Sequence, residues 1–547
     1  MHLLCAKPHH KSFVKMNYIT CNKNVIFLAL YLMYRLCMKR YLFLLLLLLL
    51  CVNGRPAVQQ DNLHVIEEVQ RFPSARSSSA TQDTLRLTLD EAVAFARRQS
   101  PQAVAARHQY RAAYWNWRSF KADYLPSLTF SSQSSLNRSI SPVTMPDGSD
   151  SFVHRNQLLN DGMFTLNQNI SFLGGTIYMQ TGLQRLDVFS DNQRSFKSTP
   201  VVIGYSQNLF GYNALRWNKR IEPVRYHYAR KLYGETLERV AAGAAMRFFQ
   251  LATAQSNLQS ADYNYANADT LFRYAKGRYE IGTISENEML QLEINYLSEQ
   301  TNRLNARIET DDCIQNLRSF LGINENVVLI AEVSPDIPRF VVPVEEALSL
   351  ARKNSPDIES LQLQRMQSES AVAYAKASRG FKADLYMEFG LSQTDRSLNE
   401  VYRNPLNQQL VSLGIRIPIL DWGVGRGRVE VAKSNLEKVK TDMAQAQTDF
   451  EANVIRLVKQ FNLQADKVAI AQKTSQRAAR RNDVAYRLYL LGKSTVLDLN
   501  AAIAEKDHSQ RGYIRELQNY WSLYYGLRSI TGWDFEYNNP VNNVPDN

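Results

Sequence analysis

The chain has 547 residues, room for roughly two or three ordinary domains or one long repetitive one, and a formal charge of +12. Seven cations unopposed by any acid, Lys7, Lys11, Lys15, Lys23, Arg35, Lys39 and Arg40, precede position 55; the remaining +5 is too small to argue for a nucleic-acid partner. Cys5, Cys21, Cys37 and Cys51 share that leader, so Cys313 alone remains beyond it, which excludes an internal disulfide or a thiolate metal cluster in the mature chain.

In chain order, Lys39 and Arg40 precede an apolar run, Tyr41 to Val52, of signal-peptide length and too short to span a bilayer. Residues 1–54 are therefore expected to be a leader cleaved after Gly54, with Met38 a conventional start. Cys51 is a candidate lipidation site, although Leu50 stands where a small residue is wanted. Residues 55–84 include "SARSSSATQD" and read as a flexible arm.

The rest of the chain repeats itself. "LDEAVAFARRQSP" (89–101) returns as "VEEALSLARKNSP" (344–356), an offset of 255, and "LRSFLG" (317–322) returns as "LRSITG" (527–532), an offset of 210. Gly282 and Gly492 differ by 210 as well, as do Arg216 and Arg426. Two copies of one unit are expected, 85–322 and 343–532, joined by a linker 323–342 and followed by a tail 533–547. The difference between the offsets puts 45 extra residues in copy 1, between Pro101 and Arg216, about 142–186.

Each copy reads as helix, strands, long helix, helix. Leu237, Val240, Ala244, Phe248, Leu251, Ala254 and Leu258 recur at steps of three and four, as do Leu436, Val439, Met443, Ala446, Phe450, Val454, Leu457 and Phe461. Leu290, Ile294, Leu297, Thr301, Leu304 and Ile308 form a further stripe. Such stripes are helix-packing surfaces. Helices over 214–280 and 426–490 would each run about 100 Å, and the shorter pairs 88–120 with 285–320 and 343–378 with 495–530 would match them end to end. Rods of this length suit a tall cylinder made from several chains.

Between the helices the period changes to two. Phe164, Leu166, Ile170 and Phe172 alternate with polar neighbours, as do Val201, Ile203, Tyr205 and Leu209, then Leu385, Met387, Phe389 and Leu391, then Leu413, Ile415, Ile417 and Ile419. In an exported chain whose mature part has no apolar helix of spanning length, these fit an outer-membrane β-barrel better than a soluble sandwich. A few strands cannot close a barrel, so each subunit must supply one sector.

The duplicated strand-to-long-helix unit, with "SP" after the opening helix and "GTIS" and "GKST" between the long helices, resembles the TolC family of bacterial outer-membrane efflux proteins over about 85–535. The resemblance implies an α+β membrane protein: a homotrimer with a 12-stranded barrel in the outer membrane, continuous with a periplasmic α-helical tunnel. It implies a passive duct of a tripartite efflux or type I secretion system, with a periplasmic adaptor and an inner-membrane transporter as partners and outer-membrane lipids around it. No enzyme activity, cofactor, metal or nucleic acid is expected. The main alternative is a structural or adhesive periplasmic coiled coil anchored at the outer membrane. The 45 extra residues include "ISFLGGTIYMQTGLQ", where Gly174-Gly175 reads as a hairpin turn. An extracellular flap is the expected outcome, with two further barrel strands per chain as the alternative.

The turn "GKSTVLDLNAA" (492–502) resembles the family's GTRTIVDVLDA, whose aspartates narrow the closed tunnel entrance. Asp498 matches the first aspartate, while Ala501 and Ser494 depart from the second aspartate and the arginine. "GTISENEMLQ" in copy 1 puts Glu288 opposite Asp498. Asp498 and Glu288 are thus gate candidates; read from the residues alone, they are solvated acids in first helical turns. Gly282 and Gly492 permit the tight turns, and with Thr283, Ile284, Lys493 and Val496 they are candidate adaptor contacts.

"LDWGVGRGRVEV" (420–431) looks like a phosphate loop, yet it lacks GxGxxG and any Walker lysine. Its counterpart "LFGYNALRWNKR" (209–220) drops two glycines, which a phosphate cradle could not do. Both follow a strand and open a long helix, so Gly211, Tyr212, Arg216, Asp421, Trp422, Gly423 and Arg426 are assigned to a joint between membrane and periplasm. Trp422 or Tyr212 would lie at the membrane interface, and Arg216 and Arg426 would make polar contacts at the helix starts.

Overall fold

The computed structural model describes residues 84–323, 327–491 and 493–541. The leader, Cys51, nearly all of the 55–84 arm, Gly492 and the end of the tail lie outside the described residues.

A short strand β1 (Thr84–Leu87) leads into α1 (Leu89–Gln99) and α2 (Pro101–Ala122). The strands β2 (Ser127–Thr144), β3 (Asp150–Ile170), β4 (Gly175–Val188) and β5 (Gln193–Leu209) follow, then α3 (Ala214–Glu280) and α4 (Glu286–Leu321). After β6 (Val328–Ala331), which pairs in parallel with β1, come α5 (Val344–Asn354), α6 (Pro356–Arg379), β7 (Lys382–Asp395) and β8 (Leu406–Arg416). The last elements are α7 (Val424–Leu490), α8 (Val496–Thr531), β9 (Trp533–Asp534) and β10 (Asn539–Pro540). Both α3 and α7 have 67 residues, about 100 Å each. Both α4 and α8 have 36, and each of α7 and α8 begins 210 residues after its earlier counterpart.

The expected helices over 88–120 and 343–378 are each broken in two at an SP dipeptide. Proline disfavours α geometry in the residue before it, so Ser100 and Ser355 leave the helix. Each serine then caps the next helix, Ser100 Oγ accepting from Ala103 N (3.1 Å) and Ser355 Oγ from Asp357 N (3.1 Å). At this level α4 and α8 also end, each on a left-handed glycine, Gly322 (φ +73°) and Gly532 (φ +61°). The main apolar core lies here, with Phe248, Phe461, Leu317, Leu517 and Tyr520 almost fully buried.

Three charged groups, Glu238, Arg528 and Asp534, are enclosed beside that core. Glu238 on α3 is 1% exposed and accepts from Arg97 Nη2 of α1 (2.6 Å) and Arg528 Nε of α8 (2.9 Å). Arg528 Nη1 also reaches Asp534 Oδ2 in β9 (2.5 Å) and Tyr524 OH (3.1 Å). Burial pushes the Glu238 carboxyl up, against the pull of both guanidiniums.

The long helices stand in a row, α4 on α3, α3 on α8 and α8 on α7. The 237–258 stripe is packed as expected, with Val240, Ala244, Phe248, Leu251 and Ala254 buried. The 290–308 stripe differs. Ile294 is 68% exposed and Ile308 61%, while α4 uses its opposite face, through Leu292 and Ala306, to pack on the chain. On the far helix of the row, α7 likewise leaves Leu463, Ile470 and Val484 exposed.

β2, β3, β4, β5, β7 and β8 form one antiparallel sheet in that order. The inserted residues therefore supply strands in the middle of this sheet, where a flap outside it was expected. β3 and β4 are hydrogen-bonded on both sides, and the turn joining them is tied to the helix ends. Asn213 Nδ2 donates to Ser171 O (3.0 Å), Gln207 Nε2 to Leu173 O (2.8 Å) and Asn169 Nδ2 to Asp123 O (2.9 Å). Gly174, at φ +78° with the Asn213 amide close over it, makes that turn.

Candidate functional site

Three regions bear on function: the turn between each long helix and its successor, the strand-to-helix joints, and the two faces of the sheet.

At the first helix turn Gly282 adopts φ +74°, and Thr283 N and Oγ1 both donate to Arg278 O (2.9 Å each). Lys493 N donates to Leu488 O (2.9 Å) at the second turn. Ser285 caps α4 by accepting from Glu288 N (3.3 Å). Thr495 caps α8 reciprocally: Asp498 N donates to Thr495 Oγ1 (3.2 Å), and Thr495 N and Oγ1 donate back to Asp498 Oδ2 (3.3 and 2.6 Å). These donors, with Ser494, hold the Asp498 carboxyl below the usual carboxylate range. Asp498 is exposed and Glu288 half-buried.

Among the candidate adaptor contacts, Gly282, Thr283 and Lys493 are exposed. Val496 is not: it is 7% exposed and packs with Leu271, Leu292 and Leu499 in a small core that seals the tip, with Ile284 against it. An apolar β-branched residue at the first position of a helix looks like surface in a sequence, but here the paired helix ends bury it.

At the second joint Trp422 takes φ +51° and Gly423 φ +87°, which turns the chain sharply before α7. The Asp421 carboxylate closes back on that turn, accepting from Gly423 N (2.9 Å) and Gly425 N (2.8 Å). Those backbone donors lower its pKa. The nest that a phosphate would need is thus filled by the chain's own carboxylate. Trp422 is 88% exposed, as an interfacial aromatic should be, and Arg426 is exposed beside it.

The first joint departs from expectation. Tyr212 turns inward, its OH 2.5 Å from Ser370 Oγ and its ring edge-on to Tyr374. The exposed aromatic there is Phe210 (72%), at φ +63° and paired with the ring of Phe381. Gly211 lies close under the Asn208 side chain, and Arg216 is exposed, with its backbone N–H donating to Asn213 Oδ1 (2.9 Å). Asn213, which both caps α3 and holds the β3–β4 turn, was legible only as an asparagine standing before a helix-forming run.

The sheet has two unlike faces. One carries Leu128, Phe130, Phe164, Met179, Ile203, Phe389, Val411 and Leu413, all at least 43% exposed. Register confirms a single surface, with Phe130 opposite Phe164, Met179 opposite Ile203, and Ile203 opposite Phe389. The other face carries Ser, Thr, Asn and Gln from every strand. Among the described residues no helix is long and apolar enough to cross a membrane. A one-sided apolar sheet of this breadth is what a lipid-facing wall requires.

A family model described as outer membrane efflux protein matches residues 94–323 and 347–532, well over half of the chain. The chain belongs to the outer membrane efflux protein family. It is an outer-membrane efflux channel with a long periplasmic helical tunnel, and a passive conduit, not an enzyme. Solved structures share the fold. The CmeC outer membrane channel of Campylobacter jejuni is 15% identical, covers 81% of this chain and 85% of its own, and has a TM-score of 0.59. The outer membrane protein VceC of Vibrio cholerae is 13% identical over 81% and 96% of the two chains, with a TM-score of 0.56. A membrane protein from Pseudomonas aeruginosa is 12% identical over 84% and 92%, with a TM-score of 0.60. No curated protein matches this efflux protein by sequence.

Proposed function

We propose that the chain works as a homotrimer, three sheet sectors closing one barrel and three helix rows closing one tunnel. Cargo would enter from a periplasmic adaptor and an inner-membrane transporter of a tripartite efflux or type I secretion system. The observation that carries this reading is the pair of unpartnered apolar seams on the outermost helices. Leu290, Ile294, Leu297, Leu304 and Ile308 repeat at heptad spacing on α4; Leu463, Ile470, Val484 and Leu491 do so on and just after α7. They lie at the two ends of the row and at similar heights above the tip, so α4 of one copy meets α7 of the next. The free edges of β2 and β8 support the same assembly, since lipid tolerates no open edge. Equal helix lengths at a constant offset support an origin by duplication of one half.

At the tip, Asp498 is the candidate gate residue. Three copies around the axis would place three carboxylates together, attracting a cation and repelling anions. Glu288 would contribute more weakly, and Gly282, Thr283, Gly492 and Lys493 would present the turns to the adaptor. Val496 and Ile284 serve this surface from beneath, by packing the helix ends that carry it.

Native mass spectrometry of protein extracted from outer membranes tests the assembly. Three chains are expected, falling to one in an Ile294→Glu, Ile470→Glu variant; a water-soluble monomer or dimer of the unaltered chain would refute it. In planar bilayers Asp498→Ala should abolish block by divalent cations. Unchanged block would remove Asp498 from the gate.

A further inference from the structure

The sheet supplies six strands per chain, two more than a twelve-stranded trimer uses, and its register shows how those strands lean. One hydrogen-bonded row runs Ser127, Asn167, Tyr178, Gly204, Glu388, Leu410. Ser127 is the helix-proximal end of β2, whereas Leu410 stands six residues from the corresponding end of β8, Arg416. The strands between step steadily: Asn167 and Tyr178 are three residues from their ends, Gly204 five and Glu388 six. Six residues at about 3.3 Å over five strand spacings of about 4.8 Å is a lean of about 40°, the tilt at which barrels close. All six strands share that lean and the same division into apolar and polar faces.

The polar face is built to stay open. Its side chains are mostly short and uncharged, among them Thr129, Ser131, Thr165, Ser206 and Ser412. Of its two tyrosines, Tyr178 and Tyr386, Tyr178 lies over Gly204, where a Cβ would fall inside its ring. Tyr178 OH donates to Tyr386 OH (2.5 Å), and Tyr386 OH to Glu388 Oε2 (2.6 Å), which ties the two hydroxyls to one carboxylate of the wall.

We propose that all six strands of each chain enter the wall of an eighteen-stranded barrel, and that this outlet is wide and unobstructed, leaving selection by size to the helical tunnel and its tip. The proposal rests on the trimeric reading above. At a 40° lean, eighteen strands give a backbone diameter of about 36 Å and twelve about 24 Å, so side chains leave openings of about 26 and 14 Å. The cargo class admitted at the outer membrane therefore extends to polypeptide segments and other solutes about 20 Å across.

Size-graded maleimide-polyethylene glycols applied to intact cells test this without opening the tip. The probe site is Ser412→Cys, on the polar face near the helix end, in a full-length Cys313→Ser background. Reagents about 20 Å across are expected to label within about twofold of the rate of a small maleimide. Labelling by the small reagent that fails above about 14 Å overturns the proposal, as does no labelling at all, which would take Ser412 off the lumen face. Native mass of the same preparation separates the two readings. A mass other than three chains defeats the trimer, while three chains with a narrow cut-off defeats only the wide outlet. Cryo-electron microscopy of the trimer should count eighteen strands; twelve would overturn the proposal directly.

Discussion

Arg528→Met removes the central cation of the buried network, and its cost can be worked from the geometry. The Arg528 side chain is 12% exposed and bonds Glu238, Asp534 and Tyr524 together. Without it the 1%-exposed Glu238 carboxylate keeps only Arg97, and Asp534 loses its cation. Breaking a buried pair from one side costs about 3–5 kcal/mol, because the partner stays charged and desolvated. Arg97→Met should cost less, about 1–2 kcal/mol, since that guanidinium is 30% exposed and water screens its loss. Joint replacement, Glu238→Leu with Arg528→Met, should recover part of the single loss, because the Glu238 carboxylate no longer stands half-paired and only Asp534 is left without its cation. Heat dissociation of the detergent-extracted protein on gels, with circular dichroism in parallel, measures all three. The expected order of midpoints is wild type, Arg97→Met, the double variant, then Arg528→Met. An Arg528→Met midpoint within about 1 °C of wild type would refute the reasoning, as would strict additivity in the double variant.

Further predictions concern the tip and the joint. Thr495→Ala removes both hydroxyl-mediated bonds of the α8 cap, leaving only the Thr495 backbone N–H on Asp498, and should cost about 1 kcal/mol, seen as faster amide exchange over 496–499 with α4 unaffected. The Asp498 carboxyl is lowered in the fold, so the cap is complete above the ordinary carboxylate range and is lost as pH falls through the lowered value. Protection of those amides, corrected for intrinsic exchange, should therefore hold from neutral pH and collapse only in strong acid, and Asp498→Asn should make it insensitive to pH. Gly423→Ala meets open space but must keep φ +87°, a cost of about 1 kcal/mol from backbone strain alone. Gly425→Ala should destabilise more, since its Cβ would press on Asp421 Oδ2 and the Arg379 side chain; thermal midpoints of the two variants decide the order.

Much of this architecture was legible because long helices advertise themselves. The bounds of α3 follow from a proline-free apolar stripe after Pro223 that ends at Gly282. The broken opening helices were hidden because SP dipeptides leave the apolar period almost undisturbed on either side. β2 was missed for a different reason: "SLTFSSQSSLNRSI" carries few apolar residues, and its alternation is diluted by Ser132, Ser134 and Arg138, which stand on the same face as Phe130. The flap was expected because the extra residues were counted but their edges could not be paired, and pairing is a nonlocal property. At the sites, sequence order misassigned neighbours one or two positions apart. Phe210 rather than Tyr212 is exposed, since the left-handed turn at Phe210 reverses which side chain faces outward. Val496 is buried because two antiparallel helix ends meet over it, which no single-helix pattern reveals.

The glycine-rich stretch before α7 shows why a loop can look like an anion site without being one. A helix start presents unpaired N–H groups, and glycines let the chain curl so that several of them converge. Any segment that must turn sharply into a helix meets the same two requirements, whether or not a ligand is involved. What distinguishes the cases is what fills the convergence. Here Asp421, two residues ahead of Gly423, reaches both Gly423 and Gly425 and leaves no room for a second anion. The first joint solves the same problem with Asn213, whose Oδ1 accepts from Arg216 N while its amide holds the β3–β4 turn. A carboxylate suffices where the joint stands alone; an amide, with donor and acceptor both, is required where an inserted hairpin must be held as well. The chemical difference between Asp421 and Asn213 thus follows from the inserted hairpin, whose turn Asn213 holds and Asp421 does not.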